Sequence, residues 1–314
     1  MQPATGLSFD LGKRVLSWGK GYAWNPVGFV QRSKDATDPN LPREGYWMAD
    51  ATYVRSFSPD RLGLGLVQTV GLTLIAIPAN GSVNQDFGPK SDSSVAGKLY
   101  LLVKDTDLDL MVLSGGARSL RYGADFSRNL GSRMEVHGEI ARIAQSERPV
   151  LDSQQQPVVI AGASTSYLLG LRYITEGDAT ILCEFYHNGE GFAAAEERAF
   201  FTLAHLAVET GDPALIERAN RIAAAYRRPS ALRNYVNLKV SQNDALGIVY
   251  FTPSLTAQAN ASDRSLLILP ELLYKGITNL ELRLRLQQNV GPRETEFGEK
   301  TASTRLEFRM RYYF

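Results

Sequence analysis

The sequence predicts an all-β fold: a transmembrane, antiparallel, up-and-down β-barrel of about 14 strands, with a helical hairpin in one long loop. Two observations lead to this prediction. Many segments alternate apolar and polar residues with a period of two, which is the pattern of a strand with one apolar face. The connections between these segments also alternate between short and long, as they do when one rim of a barrel carries turns and the other carries loops.

The last ten residues show the alternation most clearly. One face carries Leu306, Phe308, Met310, Tyr312 and Phe314, and the other carries Arg305, Glu307, Arg309, Arg311 and Tyr313. A final strand of this kind that ends on an aromatic residue resembles the C-terminal strand of bacterial outer-membrane β-barrels of the porin-like type, although no specific family is identified. A soluble edge strand is the alternative.

This resemblance implies a location in the bacterial outer membrane and contact with outer-membrane lipid. It also implies that the barrel-insertion machinery reads the terminal strand as its signal. The residues that would form this signal are Phe308, Met310, Tyr312 and Phe314.

Composition excludes several classes of protein. The chain has 34 Lys and Arg against 33 Asp and Glu, so the net charge gives no reason to expect a nucleic-acid partner. The single Cys183 excludes an intrachain disulfide, and the three His residues are too scattered to predict a metal site. We expect no cofactor.

No run of about 18 apolar residues predicts a membrane-spanning helix. The mean hydropathy of −0.18 is nevertheless compatible with strands that are apolar on one face only. The first 20 residues do not read as a signal peptide, so we expect a mature or N-terminally truncated form. We treat residues 1–314 as one barrel domain.

The first strand is predicted from Leu7 to Trp18, and Gly and Pro residues then begin a long loop that reaches about Gly45. The run Trp18–Pro26 resembles a segment of porin-like outer-membrane proteins. Lys20, Tyr22 and Trp24 are therefore candidates for a constriction loop that folds inward. A surface loop pinned by Trp24 is the alternative.

The next strands are predicted at Tyr46–Phe57 and Thr69–Pro78, with a tight turn at Ser58–Asp60 between them. Later connections follow the same alternation. Short ones are predicted near 105–107, 129–132, 176–178, 242–244 and 275–278, and long ones near 143–162, 189–233, 255–263 and 287–302.

One segment departs from the β pattern. Ala194–Val208 and Pro213–Arg227 carry Ala, Leu, Glu and Arg at helical spacing, and Gly211, Asp212 and Pro213 separate them. We predict a helical hairpin over residues 194–228. It could be a lid, a plug or a docking platform, or a cap that only packs on the barrel.

The charged residues of the predicted strands fall on the face opposite the apolar one. A basic ladder is predicted to line the pore at Arg283, Arg285, Arg305, Arg309 and Arg311, and an acidic sector at Asp125, Glu135 and Glu139, with Asp109 nearby. Two interpretations remain open: a field across the pore that sets ion selectivity, or charges that pair across strands and fill the lumen.

No phosphate-binding loop, metal spacing or nucleophile motif is present, so we predict a protein that is not an enzyme. The function predicted is a porin-like channel for passive passage of small polar or anionic solutes. The alternative is a non-conducting barrel that serves as an anchor or partner-docking scaffold. An outer-membrane lipid hydrolase using His137 or His187 is less favoured.

Overall fold

The computed structural model describes residues 6–57 and 66–314, so the turn expected at Ser58–Asp60 lies outside the described residues. The described ranges contain fourteen strands. They are β1 (Leu7–Arg14), β2 (Tyr46–Ser56), β3 (Val67–Ile77), β4 (Ser94–Val103), β5 (Thr106–Ser114), β6 (Arg121–Leu130), β7 (Met134–Leu151), β8 (Pro157–Ile174), β9 (Ala179–His187), β10 (Asn234–Gln242), β11 (Phe251–Asn260), β12 (Ser265–Ile277), β13 (Leu280–Val290) and β14 (Thr304–Tyr312).

The strands form one sheet in which the order of pairing follows the order of the chain from β1 to β14. This is the predicted antiparallel, up-and-down arrangement with the predicted number of strands. The register is regular: on β13 and β14, for example, Leu282 lies opposite Met310 and Leu284 opposite Phe308. The outward row of the β13–β14 ladder therefore pairs apolar residues with apolar residues.

The helical hairpin is also confirmed, as α1 (Ala194–Thr210) and α2 (Pro213–Arg227). Gly211 ends α1 in the left-handed conformation with φ of 66°, which glycine adopts without steric cost. The Asp212 side chain then accepts a hydrogen bond from the backbone N–H of Ala214 and caps α2. Within the described ranges, no helix is long and apolar enough to cross a membrane.

Several predicted boundaries are wrong. The long connection expected at 143–162 is strand for most of its length, because β7 and β8 each have 18 residues and leave only 152–156 between them. The polar residues and Pro149 of this stretch hide the strand pattern. The first strand ends at Arg14 rather than at Trp18.

Two further connections differ in length from the prediction. The link expected to be long at 255–263 is short, since β11 runs on to Asn260. The link expected to be short at 242–244 extends from 243 to 250 and contains a 3-10 turn, Ala245–Gly247. The first error arises because the polar Gln258 and Asn260 lie in a strand. The second arises because the apolar run 245–250 resembles a strand but lies in the connection.

The strands bury their polar faces and expose their apolar faces. On β13, Leu284 and Leu286 are 40% and 37% exposed, whereas Glu281 and Arg285 are 6% and 8% exposed. A water-soluble sheet has the opposite distribution. Outward Leu side chains and inward charges are the pattern of a strand that faces lipid.

The residues group into two compact units. Unit 1 comprises Met1–Ser146 and Ala161–Leu169, and unit 2 comprises Glu147–Ile160 and Gly170–Phe314. A hydrophobic core in unit 1 joins the connection 15–45, which we call the N-terminal loop, to β2–β5, to β7 and to the connections 78–93 and 115–120. Its members are Trp18, Val27, Phe29, Val30, Tyr46, Met48, Ile75, Ile77, Ala79, Phe87, Ala96, Met111, Leu113, Ala117 and Ala141.

Replacing Leu284 with Arg tests the lipid-facing assignment, because Leu284 lies near the middle of β13. We expect L284R to lower the free energy of unfolding by about 2–4 kcal/mol, the cost of Arg at the bilayer midplane. The measurement is urea unfolding of protein refolded into lipid vesicles. Leu246→Arg is the matched control, since Leu246 is 88% exposed in the connection 243–250. Equal losses in the two variants would show that the outward face of β13 does not meet hydrocarbon.

Candidate functional site

Three carboxylates form a row across neighbouring strands of unit 1. Asp109 on β5 lies directly opposite Asp125 on β6, and Asp125 lies opposite Glu139 on β7. All three are buried, with 2%, 4% and 4% of their surface exposed. Like charges in such positions destabilise a sheet, so the row requires compensation from another part of the chain.

Lys20 of the N-terminal loop supplies part of that compensation. Its Nζ lies 3.1 Å from Asp109 Oδ2 and 4.0 Å from Asp125 Oδ1. Burial lowers the pKa of the Lys20 ammonium, but Asp109 and Asp125 raise it by more, so the net shift is upward and Lys20 stays charged. Lys98 of β4 adds a second cation 3.6 Å from Asp109 Oδ1.

The backbone of the same loop compensates Glu139. The Glu139 carboxylate accepts hydrogen bonds from the N–H of Gly21 at 2.6 Å, from Asn25 Nδ2 at 2.9 Å and from the N–H of Val27 at 3.3 Å. This approach requires glycine at position 19, where φ is 96° and an added Cβ would lie 2.6 Å from Glu139 Oε1. The loop therefore fits around one carboxylate.

Packing fixes the loop in this position. Val27, Phe29 and Val30 are at most 1% exposed. The Gln31 side-chain amide bonds both backbone groups of Trp18, accepting from the N–H at 2.7 Å and donating to the carbonyl at 3.1 Å. Lys34 Nζ donates to the carbonyl of Gly21 at 2.6 Å.

The structure brings the predicted loop residues together with the predicted acidic sector. Besides the contacts of Lys20, the Tyr22 hydroxyl donates to Glu135 Oε2 at 3.2 Å, and the Tyr22 ring lies 5.4 Å from the His137 ring. Trp24 is buried, with 7% of its surface exposed. Sequence reasoning missed Gln31 and the glycines, for which the only signal was the Gly-rich, aromatic run after Trp18.

The basic ladder lies in unit 2 and is paired with acids. Arg285 binds Glu271 Oε2 through Nη2 at 2.6 Å and Nε at 2.9 Å, and Arg283 Nε lies 3.7 Å from the same oxygen. Sequence reasoning missed Glu271 because it stands alone within the apolar run of β12. The only sign of Glu271 in the sequence was a charged residue at a position that alternation assigns to the inward face of the strand.

On β14, Arg309 Nη2 lies 2.8 Å from Glu307 Oε1, and Arg305 Nη2 lies 3.7 Å from Glu307 Oε2. Arg311 is the cross-strand partner of Glu281. The ion pairs of Glu307 lie within β14, whereas those of Glu271 join β12 to Arg283 and Arg285 of β13. Together they favour the interpretation in which the charges pair with one another. Arg305 is the most accessible of the five, since 68% of its side chain is exposed.

The outward residues of β14 have the exposure expected of a lipid-facing strand end. Phe308 and Met310 are each 66% exposed, Tyr312 is 56% exposed, and Phe314 is fully exposed. The Tyr312 and Phe314 rings meet edge to face at 5.4 Å. Their role as an insertion signal stays a prediction.

In unit 2 the helical hairpin is seated on the connection 291–303 and on β7. Arg148 Nη1 binds Glu196 Oε2 at 2.5 Å. The Thr202 hydroxyl donates to Glu294 Oε1 at 2.8 Å, and His205 Nε2 lies 3.1 Å from Glu299 Oε2. Three polar contacts along α1 therefore hold the hairpin in place.

A buried carboxyl lies beneath α1. Glu197 is 0% exposed, and its burial raises the pKa of the carboxyl to about 9, with further contributions from Asp263 and Glu296. Burial likewise raises the pKa of Glu296, which accepts a hydrogen bond from Asn260 Nδ2 at 2.8 Å. Glu197 is therefore protonated at neutral pH. No group of three potential ligands in the described ranges is arranged to hold a metal ion.

Aromatic stacking holds the two helices together. The Tyr226 ring of α2 lies between Phe192 and Phe200, with centroid distances of 4.0 Å and 4.4 Å and nearly parallel planes. The Tyr226 hydroxyl is buried, and burial raises its pKa well above the usual value. The stack makes the hairpin a packed element rather than a loose lid.

The two candidate catalytic histidines have partners typical of structural residues. His137 is 1% exposed and packs against Tyr22. His187 Nδ1 lies 2.7 Å from the side-chain oxygen of Asn234. These contacts hold each imidazole within its strand.

No protein-family model matches the sequence, and no curated protein matches it. Among solved structures, the chain is similar to Wzi, an outer-membrane protein involved in group 1 capsule assembly in Escherichia coli and described as a carbohydrate-binding β-barrel. The TM-score is 0.52 at 11% sequence identity. The alignment covers 91% of this chain and 64% of the Wzi chain, so this chain spans less than two thirds of that protein.

At this identity the likeness concerns the fold. It agrees with the fourteen-stranded antiparallel sheet and with the outward apolar faces of the strands. The chain therefore has the fold of an outer-membrane β-barrel, and the bacterial outer membrane is the location that this fold indicates.

Proposed function

We propose that this protein is a non-conducting outer-membrane barrel that anchors or docks a carbohydrate polymer at the cell surface. The observation that carries the proposal is the N-terminal loop, which covers the polar face of unit 1 with buried side chains. A channel for small solutes needs a water-filled path along that face. Here Lys20, Glu139 and the apolar residues around Phe29 occupy it.

The energetics of the loop support a fixed cover. Removing it would leave Asp125 and Glu139 without the loop groups that compensate them, and Asp109 with Lys98 alone. Breaking a buried ion pair costs about 3–5 kcal/mol. It would also expose the apolar side chains of Val27, Phe29 and Val30, each worth about 1.5–3 kcal/mol when buried. Spontaneous opening of the loop is therefore rare.

Carbohydrate is the proposed ligand class because Wzi, whose fold is similar, is described as carbohydrate-binding. The hairpin is the proposed docking element. It lies in one of the long connections, which face the cell exterior in outer-membrane barrels, and its polar seat fixes it there. The contacts of His137 and His187 favour this role over a lipid hydrolase.

A porin-like channel for small polar or anionic solutes is the second candidate. The observation that favours it is the exposure of basic side chains on the polar face of unit 2, where Arg305 is 68% and Lys275 is 54% exposed. These cations would attract anions if an open path existed.

Planar-bilayer conductance of the refolded protein separates the two candidates. We expect no discrete open steps from the wild type. Glu139→Gln places an amide among three N–H donors, so the loop should loosen, become sensitive to trypsin and allow transient conductance. Glu147→Gln, at an exposed position of the same strand, is the matched control and should behave like the wild type.

Discrete steps from the wild type would instead support the channel. In that case Arg309→Glu combined with Arg311→Glu should reduce the preference for anions, because both residues lie on the polar face of β14. A heat-modifiable gel shift confirms that each variant has formed a barrel before conductance is measured.

The carbohydrate proposal predicts that the detergent-solubilised protein binds at least one bacterial surface polysaccharide in a glycan array. Replacing residues 194–228 with a short Gly-Ser link should abolish this binding if the hairpin is the docking element. The Glu217→Gln, Arg221→Gln double variant is the control, since these residues form an exposed pair on α2. Failure of the wild type to bind any such polysaccharide would contradict the proposed ligand class.

The buried carboxyl of Glu197 predicts how the seat of the hairpin responds to pH. Its folded-state pKa of about 9 lies above the unfolded value. The stability that Glu197 contributes to the folded state is therefore fully present below about pH 4.5 and is lost as pH rises toward 9. We expect Glu197→Gln to flatten this loss between pH 6 and pH 10, as measured by urea unfolding. Glu217→Gln should keep the wild-type slope. An unchanged slope in E197Q would show that Glu197 is not the titrating group.

A further inference from the structure

The lipid-facing surface of unit 1 contains an apolar groove of about 810 Å³ across β3–β7. Two adjacent rows of outward residues form it. The outer row is Leu74, Gly97, Val112, Tyr122 and Arg142, and the inner row is Leu72, Leu99, Leu110, Ala124 and Ile140. The groove exists because Gly97 and Ala124 carry little or no side chain between larger neighbours.

The floor of the groove is open and unstrained. A Cβ added at Gly97 would lie 3.6 Å from Leu74 Cδ2 and 3.7 Å from Val112 Cγ1, which are ordinary contacts. Leu72, Leu110 and other large apolar side chains of the walls are about half exposed. The groove can thus hold an alkyl chain, and a larger residue at position 97 would fill it.

A cation ends the outer row. Arg142 is exposed, faces outward beside Tyr122, and donates one hydrogen bond of 2.6 Å to the Thr165 hydroxyl. No carboxylate of the described residues pairs with it. An outward Arg is costly in hydrocarbon but is stabilised at headgroup level by a phosphate, which its planar donors can bind in bidentate fashion.

The position of Arg142 along β7 identifies the leaflet. β7 starts after the short connection 131–133 and runs toward the rim that carries the long N-terminal loop. In outer-membrane barrels that rim is extracellular. The outer row of the groove, and Arg142 with it, therefore lies in the outer leaflet, whose lipid is a phosphorylated glycolipid of the lipid A class.

We infer that this groove is a binding site for one phosphorylated glycolipid of the outer leaflet, with an acyl chain on Gly97 and Ala124 and a phosphate on Arg142. The inference rests on the outer-membrane fold and is independent of whether the protein binds carbohydrate or conducts.

Native mass spectrometry of the detergent-solubilised, refolded barrel tests the site with lipid A as the probe. We expect the wild type to retain one lipid A molecule. Arg142→Gln should weaken the affinity for lipid A about tenfold, the effect of losing a charge-assisted phosphate contact. The same variant should bind dephosphorylated lipid A as the wild type does, and Arg142→Lys should recover part of the loss.

Gly97→Leu fills the groove and should weaken binding of lipid A and of its dephosphorylated form alike. Arg198→Gln on α1 and Gly162→Leu on β8, where nothing lies within 4 Å of an added Cβ, are the matched controls and should bind as the wild type does. A heat-modifiable gel shift verifies folding of each variant.

Three results would overturn the inference. They are equal retention of lipid A by the wild type and Gly97→Leu, equal loss of lipid A in Arg142→Gln and Arg198→Gln, and binding of phosphatidylethanolamine as tight as that of lipid A. Any of these, obtained with a folded and electrically silent barrel, would leave the proposed function standing.

Discussion

The described structure of unit 1 depends on the compensation of three buried carboxylates in one row. Asp109, Asp125 and Glu139 would repel one another across neighbouring strands, and the N-terminal loop stabilises them with Lys20 and with its backbone N–H groups. The same contacts place Phe29 and its apolar neighbours against the sheet. One electrostatic requirement thus accounts for the position of the loop, its buried core and the cover over the polar face.

The sequence carries enough information to predict the fold. Alternation is a local property of each strand: on β13, for example, Leu284 and Arg285 lie on opposite faces. It can be recognised without knowing which strands are adjacent. The hairpin could be predicted for the same reason, because Asp212 and Pro213 begin α2 through local contacts. The ends of strands were harder to predict from the sequence. For example, β7 continues past Pro149, beyond the region in which one face of the strand must be apolar.

The candidate site could be predicted only in part. Lys20, Tyr22 and the acidic residues were identified by type and parity, but the contacts between the loop and the acids join residues about 90 to 120 positions apart in the chain. Glu271 was not predicted as a site residue, because a single acid in an apolar strand forms no sequence pattern. Its role becomes clear only from its contact with Arg285 in the structure. Periodicity is the same in a soluble sheet and in a membrane one, so the prediction of which face meets lipid rested on the resemblance of the terminal strand. The exposed Leu284 and the buried Arg285 agree with it.

The bond between Gly21 and Glu139 has a consequence for assembly, since 118 positions separate the two residues along the chain. Glu139 reaches its final place only when β7 has paired with β6, so the loop cannot dock while fewer than seven strands are formed. Contacts of such high sequence separation form late in folding. Until then Trp18, Phe29 and their neighbours stay uncovered, and nascent chains at this stage are candidates for aggregation or for chaperone binding.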